Sequence, residues 1–566
     1  MDSASVGRPG GRRRLLVIGL DAATFDLIRP WAQDGRLPNL ARLLAEGVSG
    51  GLASVPNLNS IPSWTTFMTG MNPGKHGLYW FYERRPDSYA FRFMNGADIH
   101  VPRFWDYASA AGLRVAAINV PMTYPAQPVN GVWIAGMDAP DEASPHFTYP
   151  PELYRELTAR VGPYEIDSNI MGYARTGRWD QAIRSTAQVV DRRTAAACYL
   201  LGRETWDVFV VVFTALDRVQ HTFWRAMDPS YPGFDPAEHA RYGDTIARFY
   251  EQLDTAIGRL QAVGGPEMTT VILSDHGMGA NQRGNLFLQP WLERLGYLKP
   301  AASLGRQLLR EAAHVADGLV SKRVRRRIIR ALPGGRAGIV QQIGQPACDW
   351  SRTRAYVDYI QPSIWINLQG REPQGIVAPG AEYEDLRDEL IERLAACRDV
   401  RTGKPVVNAV YRREEVYHGP ELHRAPDLMI DWNYEVIVSG YRFLLPDGQE
   451  AVIDRGADVV ERRNVSGEHR PEGILLLAGP GVQRGATIRG AQMADVAPTL
   501  LYLLGLPVPE AMDGRVLTAA LDPALLAAQP VRYARPEDAP AAGEHTFTAE
   551  EEEQVLRRLR DLGYID

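Results

Sequence analysis

The chain is 566 residues long, 45% hydrophobic and 23% charged, ordinary globular usage that excludes a disordered, collagenous or small disulfide-built protein. Acidic residues outnumber basic ones, 68 to 62, for a formal charge of -6, which argues against a chain built to coat nucleic acid. Three cysteines, Cys198, Cys348 and Cys397, sit at spacings that fit neither a zinc ribbon nor a redox pair, so a reducing, cytoplasmic setting is expected.

The opening MDSASVGRPGG reads as a disordered tail, residues 1–11. Arg12, Arg13 and Arg14 precede LLVIGL, which meets Asp21 sooner than a signal-peptide core of about 7–15 apolar residues would. That run is expected to be a first strand, buried on both faces of a parallel sheet. PNLARLLAEG reads as a helix stopped by Gly47, and FWDYASAAGLRVAAINVP as helix, Gly112 and strand. WDVFVVVFTALD is a further strand; its apolar run, 208–216, falls short of the about 20 residues a bilayer requires. DTIARFYEQLDTAIGRLQAVGG is a helix and TTVILSD the next strand, an alternation that predicts an α/β fold with a mostly parallel sheet.

Two stretches interrupt this rhythm. Residues 300–349 read as a basic helical insertion around SKRVRRRIIR, and 350–465 as a smaller α+β cap containing the helix YEDLRDELIERLAACRD. The core, 12–299, resumes over 466–522 with GILLLAGPGV and the helix MADVAPTLLYLLG. A Pro- and Ala-rich linker and a last helix, FTAEEEEQVLRRLRDLGY, occupy 523–566, with acidic residues early and arginines late, as the helix dipole favours.

Three aspartates follow predicted core strands: Asp21 after LLVIGL, Asp217 after VFVVVFTAL and Asp275 after TTVILS. In open α/β sheets ligands bind at the carboxyl edge of the strands. Three carboxylates converging there are costly unless cations neutralise them. His221 and His276 stand close to two of these aspartates, and His469 precedes GILLLAG. Asp and His without Cys suit Zn²⁺, with Mn²⁺ as a substitute. Six ligands are too many for one tetrahedral ion and right for two that share a substrate, the arrangement that clamps both oxygens of a phosphoryl transfer. Singly, each Asp reads as a helix cap and each His as a hydrogen-bonded surface residue; the coincidence favours metals.

For a nucleophile, NSIPSWTTFMTGMNPGKHG offers Ser60 ahead of Ile61 and Pro62, with Pro62 placed for the first turn of a helix. Ser60 is then either a phosphate-facing nucleophile at the helix N-terminus or a plain N-cap serine. Ser63, Thr65 and Thr66 fall inside that helix and read as structural. His76 reads as a loop-fixing residue, His418 and His423 as surface residues, and residues 79–82 (YWFY) as either pocket wall or core. Arg323, Arg326, Arg327 and Arg330 give one helix face strong positive charge, read as a solvated face or a lid over an anionic substrate.

Together VIGLDAATFD, NSIPSWTTFMTGMNPGKHG, TALDRVQHTFW, VILSDHGMG, SGEHRPEGILLLAGPGV and DVAPTLLYLLGLPVPEAMDGRVL resemble the alkaline phosphatase superfamily, nearest its type I phosphodiesterase/nucleotide pyrophosphatase branch and the bacterial phosphohydrolase/phosphomutase group within it. The resemblance spans almost the whole chain. It implies a three-layer alkaline-phosphatase-like sandwich with an inserted cap. It further implies one metal held by Asp217, His221 and His469 and another by Asp21, Asp275 and His276, with Ser60 as nucleophile and metal contact, forming a phosphoseryl intermediate that water hydrolyses. The implied substrate is a small-molecule phosphate ester, foremost a diester; the alternative is a phosphomutase, followed by a phosphomonoesterase, a sulfatase or a non-catalytic binding protein. Two departures stand out. Phe81 occupies the place where nucleotide pyrophosphatases carry a phosphate-binding asparagine, and serine replaces their more usual threonine nucleophile. Trp64 stands where a sulfatase motif has arginine, which argues against sulfatase activity. No nucleic-acid partner and no transmembrane segment are expected, and the oligomeric state stays open.

Overall fold

The computed structural model describes residues 13–56, 58–85, 88–301, 348–357, 363–454, 465–535 and 545–562. The expected tail 1–11 and the basic run 322–330 lie outside them.

Continuous apolar runs become strands buried on both faces: Val115–Val120, Val208–Phe213 and Met268–Leu273 are buried at every position. With Arg14–Leu20 they form the middle of a nine-stranded sheet. Its order is Ala491–Gln492, Val48–Ala53, Glu472–Ala478, Met268–Leu273, Arg14–Leu20, Val208–Phe213, Val115–Val120, Gly131–Ala135 and Thr148–Tyr149. Seven strands point one way, while Glu472–Ala478 and Thr148–Tyr149 run against them. Helices Pro38–Glu46, Trp179–Arg203 and Thr245–Gly264 pack together as one layer, and Ser60–Thr69, Phe104–Ala110 and Val496–Leu503 as another. The mostly parallel α/β architecture is the one expected from the alternating pattern.

Gly19 on the central strand allows a close approach. A Cβ there would lie 2.5 Å from Cη2 of Trp64 and 2.9 Å from Val212 Cγ2. Gly19→Ala is therefore expected to push Trp64 and the helix Ser60–Thr69 outward and to destabilise the chain by about 1–3 kcal/mol, read as a lower urea midpoint. An unchanged midpoint would show that Trp64 repacks freely.

A second hydrophobic cluster combines the helix Asn285–Leu295, the helix Ala381–Ala396 and a four-stranded sheet ordered Ala355–Val357, Ser363–Ile366, Leu428–Trp432, Val407–Arg412. A short antiparallel ribbon joins Gly277–Ala280 to Gly467–Arg470, with Met278 opposite His469. The helix Ala549–Asp561 starts at a Thr548–Glu551 capping box, with Glu550, Glu551 and Glu552 in its first turn and Arg558 and Arg560 in its last. Val555, Leu556 and Leu559 anchor it in the main core. No described helix is long and apolar enough to cross a membrane.

Candidate metal centre

Strand register aligns the ends of three strands. Leu20 pairs with Phe213 and Gly19 with Leu273, so Asp21 and Asp275 leave the sheet on one edge. Asp217 comes later, within the first turn of the helix Ala215–Met227 that starts after Val208–Phe213. That placement, inside the helix instead of at the strand end, puts His221 one turn further along the same face. Glu472–Ala478 is antiparallel, and Glu472 pairs with Ala53, so this strand begins on the same edge and the preceding ribbon carries His469 onto it. Val48–Ala53 ends there too, leading to Ser60.

The structure brings all seven sequence-derived site residues to this edge. Asp217 Oδ1 lies 3.2 Å from His221 Nε2 and 3.2 Å from His469 Nε2, and the two imidazole nitrogens are 3.0 Å apart. Beside this triangle, His276 Nε2 is 3.2 Å from Asp275 Oδ2, 3.8 Å from Asp21 Oδ1 and 3.2 Å from Ser60 Oγ. The His276 ring stacks on His469 at 3.6 Å between centroids, so it stands between the two groups. Asp217, His276 and His469 also form a group of ligand atoms within 4.8 Å of one another, as do Asp21, Asp275 and His276.

Two features test whether cations fit. Each histidine points Nδ1 at a backbone carbonyl: His221 at Gly467 (2.7 Å), His469 at Leu58 (2.6 Å), His276 at Gly277 (3.0 Å). The carbonyls hold the proton on Nδ1 and turn each Nε2 inward, the orientation that metal-ligating histidines take. Ligand atoms around one tetrahedral Zn²⁺ at about 2.0–2.1 Å stand about 3.3 Å apart, which is the size of the triangle. Among the described residues, Asp21 Oδ1 and Asp275 Oδ2, both buried, find no hydrogen-bond donor. The donor set therefore fits two divalent ions.

The electrostatics point the same way. Burial, with the charges of Asp275 and Asp217, holds the Asp21 carboxyl well above its usual range. Burial and Asp217 push Asp275 up to about 6. Burial also opposes charge on Asp217, yet His221, His469 and Arg218 outweigh it and keep that carboxyl ionised. Burial and the neighbouring His469 depress His276. On His469, burial lowers the pKa, but the hydrogen bond it can donate to Asp217 and the charge of that carboxylate outweigh burial and raise it. The cluster thus calls for added positive charge.

Two of the non-glycine residues with positive φ stand at the same place. Ala22 (φ 63°) and Leu58 (φ 45°) adopt left-handed conformations. The Ala22 N–H donates to Asp275 Oδ1 at 3.3 Å, and the Leu58 carbonyl accepts from His469. Each strained residue thereby orients a ligand.

Ser60 is the first residue of its helix and not its cap. Asn59 is the N-cap, its Oδ1 accepting from the Ile61 N–H at 3.0 Å. Pro62 has no N–H, and the Ser63 N–H goes to the Asn59 carbonyl at 3.1 Å. The helix thus turns its dipole towards the edge without an open ring of amides, and the Ser60 hydroxyl is released from capping. The other hydroxyls are internal: Ser63 meets Ser54, Thr65 donates to the Ile61 carbonyl and Thr66 meets His76 Nε2. His76 also accepts from the Leu78 N–H and so fixes the loop, as expected. Residues 79–82 are core: Tyr79 packs on Tyr417, and Trp80, Phe81 and Tyr82 join the main cluster. His418 and His423 lie on the surface, His418 beside Asp513.

Sequence reasoning passed over Arg218 and Asp167, and took Trp64 only as a departure from the sulfatase motif. Trp64 Nε1 donates to Asp21 Oδ2 at 3.3 Å. Arg218 is buried, donating to Asp217 Oδ2 at 2.5 Å and to Asp167 Oδ2 at 3.0 and 3.1 Å. Adjacency to Asp217 is the one signal the sequence offered for Arg218.

Residues 15–442 match the family described as Type I phosphodiesterase / nucleotide pyrophosphatase. Among solved structures, phosphonoacetate hydrolase from Sinorhizobium meliloti 1021, in complex with phosphonoformate, is 16% identical with a TM-score of 0.51, over 88% of this chain and 96% of that one. Human ectonucleotide pyrophosphatase / phosphodiesterase 5 is 13% identical with a TM-score of 0.44, over 89% and 97%. A 50-residue stretch is 50% identical to the 2,3-bisphosphoglycerate-independent phosphoglycerate mutase of Cereibacter sphaeroides and spans 9% of either chain. The hydrolase likeness speaks for the fold alone, a mostly parallel α/β sandwich.

Proposed function

Because the chain belongs to the type I phosphodiesterase/nucleotide pyrophosphatase family, we propose that it is a two-metal phosphohydrolase cleaving small phosphate esters, foremost diesters, through a phosphoseryl intermediate on Ser60. The observation that carries this reading is Ser60 Oγ, 3.2 Å from His276 Nε2, the same nitrogen that lies 3.2 Å from Asp275 Oδ2 and 3.8 Å from Asp21 Oδ1. Asp217, His221 and His469 would hold one divalent ion, and Asp21, Asp275 and His276 the other, with Ser60 alongside. Bound there, two such ions neutralise the phosphoryl oxygens and the charge that develops on the attacking and leaving oxygens.

The chain's own groups orient the reaction. Ser60 Oγ attacks phosphorus in line; an Oγ–P bond forms as the bond to the leaving oxygen breaks, and the proton lost by the hydroxyl ends on that leaving oxygen. The helix dipole behind Ser60 favours the anionic phosphoryl group. Water then attacks phosphorus from the opposite side, its oxygen stays on phosphorus, the Oγ–P bond breaks and one water proton restores the Ser60 hydroxyl. Trp64 and the Ala22 amide hold Asp21 and Asp275 in place throughout. Trp64, bonded to Asp21, stands in place of the arginine of a sulfatase motif, which supports phosphate over sulfate esters. The free cysteines support a reducing, cytoplasmic setting.

A second reading, a phosphomutase sharing the same phosphoenzyme, is favoured by the 50-residue match to a mutase. Turnover of an aryl phosphodiester and of phosphomonoesters in ¹⁸O-labelled water separates the two. Hydrolysis places one solvent oxygen in the released phosphoryl product. A product free of the label, with phosphate moved to a second hydroxyl, would replace hydrolase with mutase.

A further inference from the structure

Asp217 uses its two oxygens differently. Oδ1 faces His221 and His469, whereas Oδ2 is held by Arg218 Nη1 at 2.5 Å. The rest of the Arg218 fork is engaged from behind: Nε and Nη2 both donate to Asp167 Oδ2, at 3.1 and 3.0 Å. The three side chains are at most 4% exposed. Asp167 is itself anchored, accepting from Thr214 Oγ1 at 3.3 Å. Arg193 fastens the backbone around it, its guanidinium reaching the Ile166 carbonyl and, at 3.4 Å, Thr214 Oγ1.

Two consequences follow from charge and shape. A guanidinium on Oδ2 restricts Asp217 to one oxygen toward the histidine triangle, since rotation that offered both would break a charged hydrogen bond. An arginine beside a cation site also repels the cation, unless a second carboxylate cancels its charge. Asp167 sits where that cancellation is needed.

We propose that Arg218 and Asp167 are a pair of positioning residues: Arg218 fixes Asp217 as a one-oxygen ligand, and Asp167 neutralises Arg218 so that the triangle still attracts a divalent ion. The proposal rests on the two-metal reading above. Groups that orient metal ligands change affinity by about 10–100-fold when removed.

The test is a double-mutant cycle on the full chain, with Zn²⁺ affinity measured by chelator competition and the visible spectrum of the Co²⁺-loaded protein recorded alongside. Asp167→Asn keeps the side-chain shape and is expected to weaken one of two Zn²⁺ equivalents by about 10–100-fold and shift the Co²⁺ bands, with circular dichroism unchanged. Arg218→Gln is expected to alter the same Co²⁺ bands. In the Arg218→Gln background, Asp167→Asn should cost several-fold less affinity, since no guanidinium charge is left to neutralise. Independent effects of the two changes, or full affinity with an unshifted spectrum in Asp167→Asn, would overturn the pairing. Failure of the unmodified chain to take up Zn²⁺ would overturn the two-metal reading instead.

Discussion

Replacing Ser60 with alanine is expected to lower turnover of bis(4-nitrophenyl) phosphate by about 10³-fold or more while both metal equivalents stay bound. Ser60 is buried in the helix Ser60–Thr69, with Asn59 already supplying the cap, so loss of one hydroxyl leaves the fold unstressed. The activity loss and the unchanged metal content together separate a nucleophile from a ligand. Acid quenching of the unmodified enzyme during turnover, followed by peptide mass spectrometry, is expected to find phosphate on Ser60 and on no other hydroxyl of 60–69. Wild-type turnover by Ser60→Ala would instead assign the attack to water.

His469→Ala is expected to release one of two Zn²⁺ equivalents and lower turnover by about 10²-fold or more. His469 Nε2 sits 3.2 Å from Asp217 Oδ1 and 3.0 Å from His221 Nε2, and its ring stacks on His276. Removal therefore opens one group and unseats a ring of the other. High zinc is expected to restore part of the activity, as it does not for Ser60→Ala. Two retained equivalents at unchanged affinity would remove His469 from the ligand set.

The strands of the core were legible because burial on both faces writes them as unbroken apolar runs, LLVIGL, VFVVVF and TVIL among them. Aspartates placed just beyond such runs mark the carboxyl edge without any knowledge of strand order. Direction was not legible: GILLLA reads the same parallel or antiparallel, and its reversed sense is what brings His469 to the edge. The ribbon pairing Gly277–Ala280 with Gly467–Arg470 is too short and glycine-rich to show a period of two. The choice of Asn59 over Ser60 as cap was hidden because both residue types cap well. Asp167 lies 51 positions from Arg218 in an irregular stretch, where no periodicity reports proximity.

The reversed strand has a consequence for biogenesis. The side chain at 469, on the ribbon leading into it, joins partners that left the ribosome some 250 and more positions earlier. Until that ribbon docks, the triangle lacks a corner, and on the proposed two-metal reading an unfinished polypeptide would carry no complete pair of ion sites. Ion uptake is then linked to assembly of the whole sheet, so zinc added to the finished protein should slow its unfolding as well as arm it, while fragments ending before residue 466 stay inert.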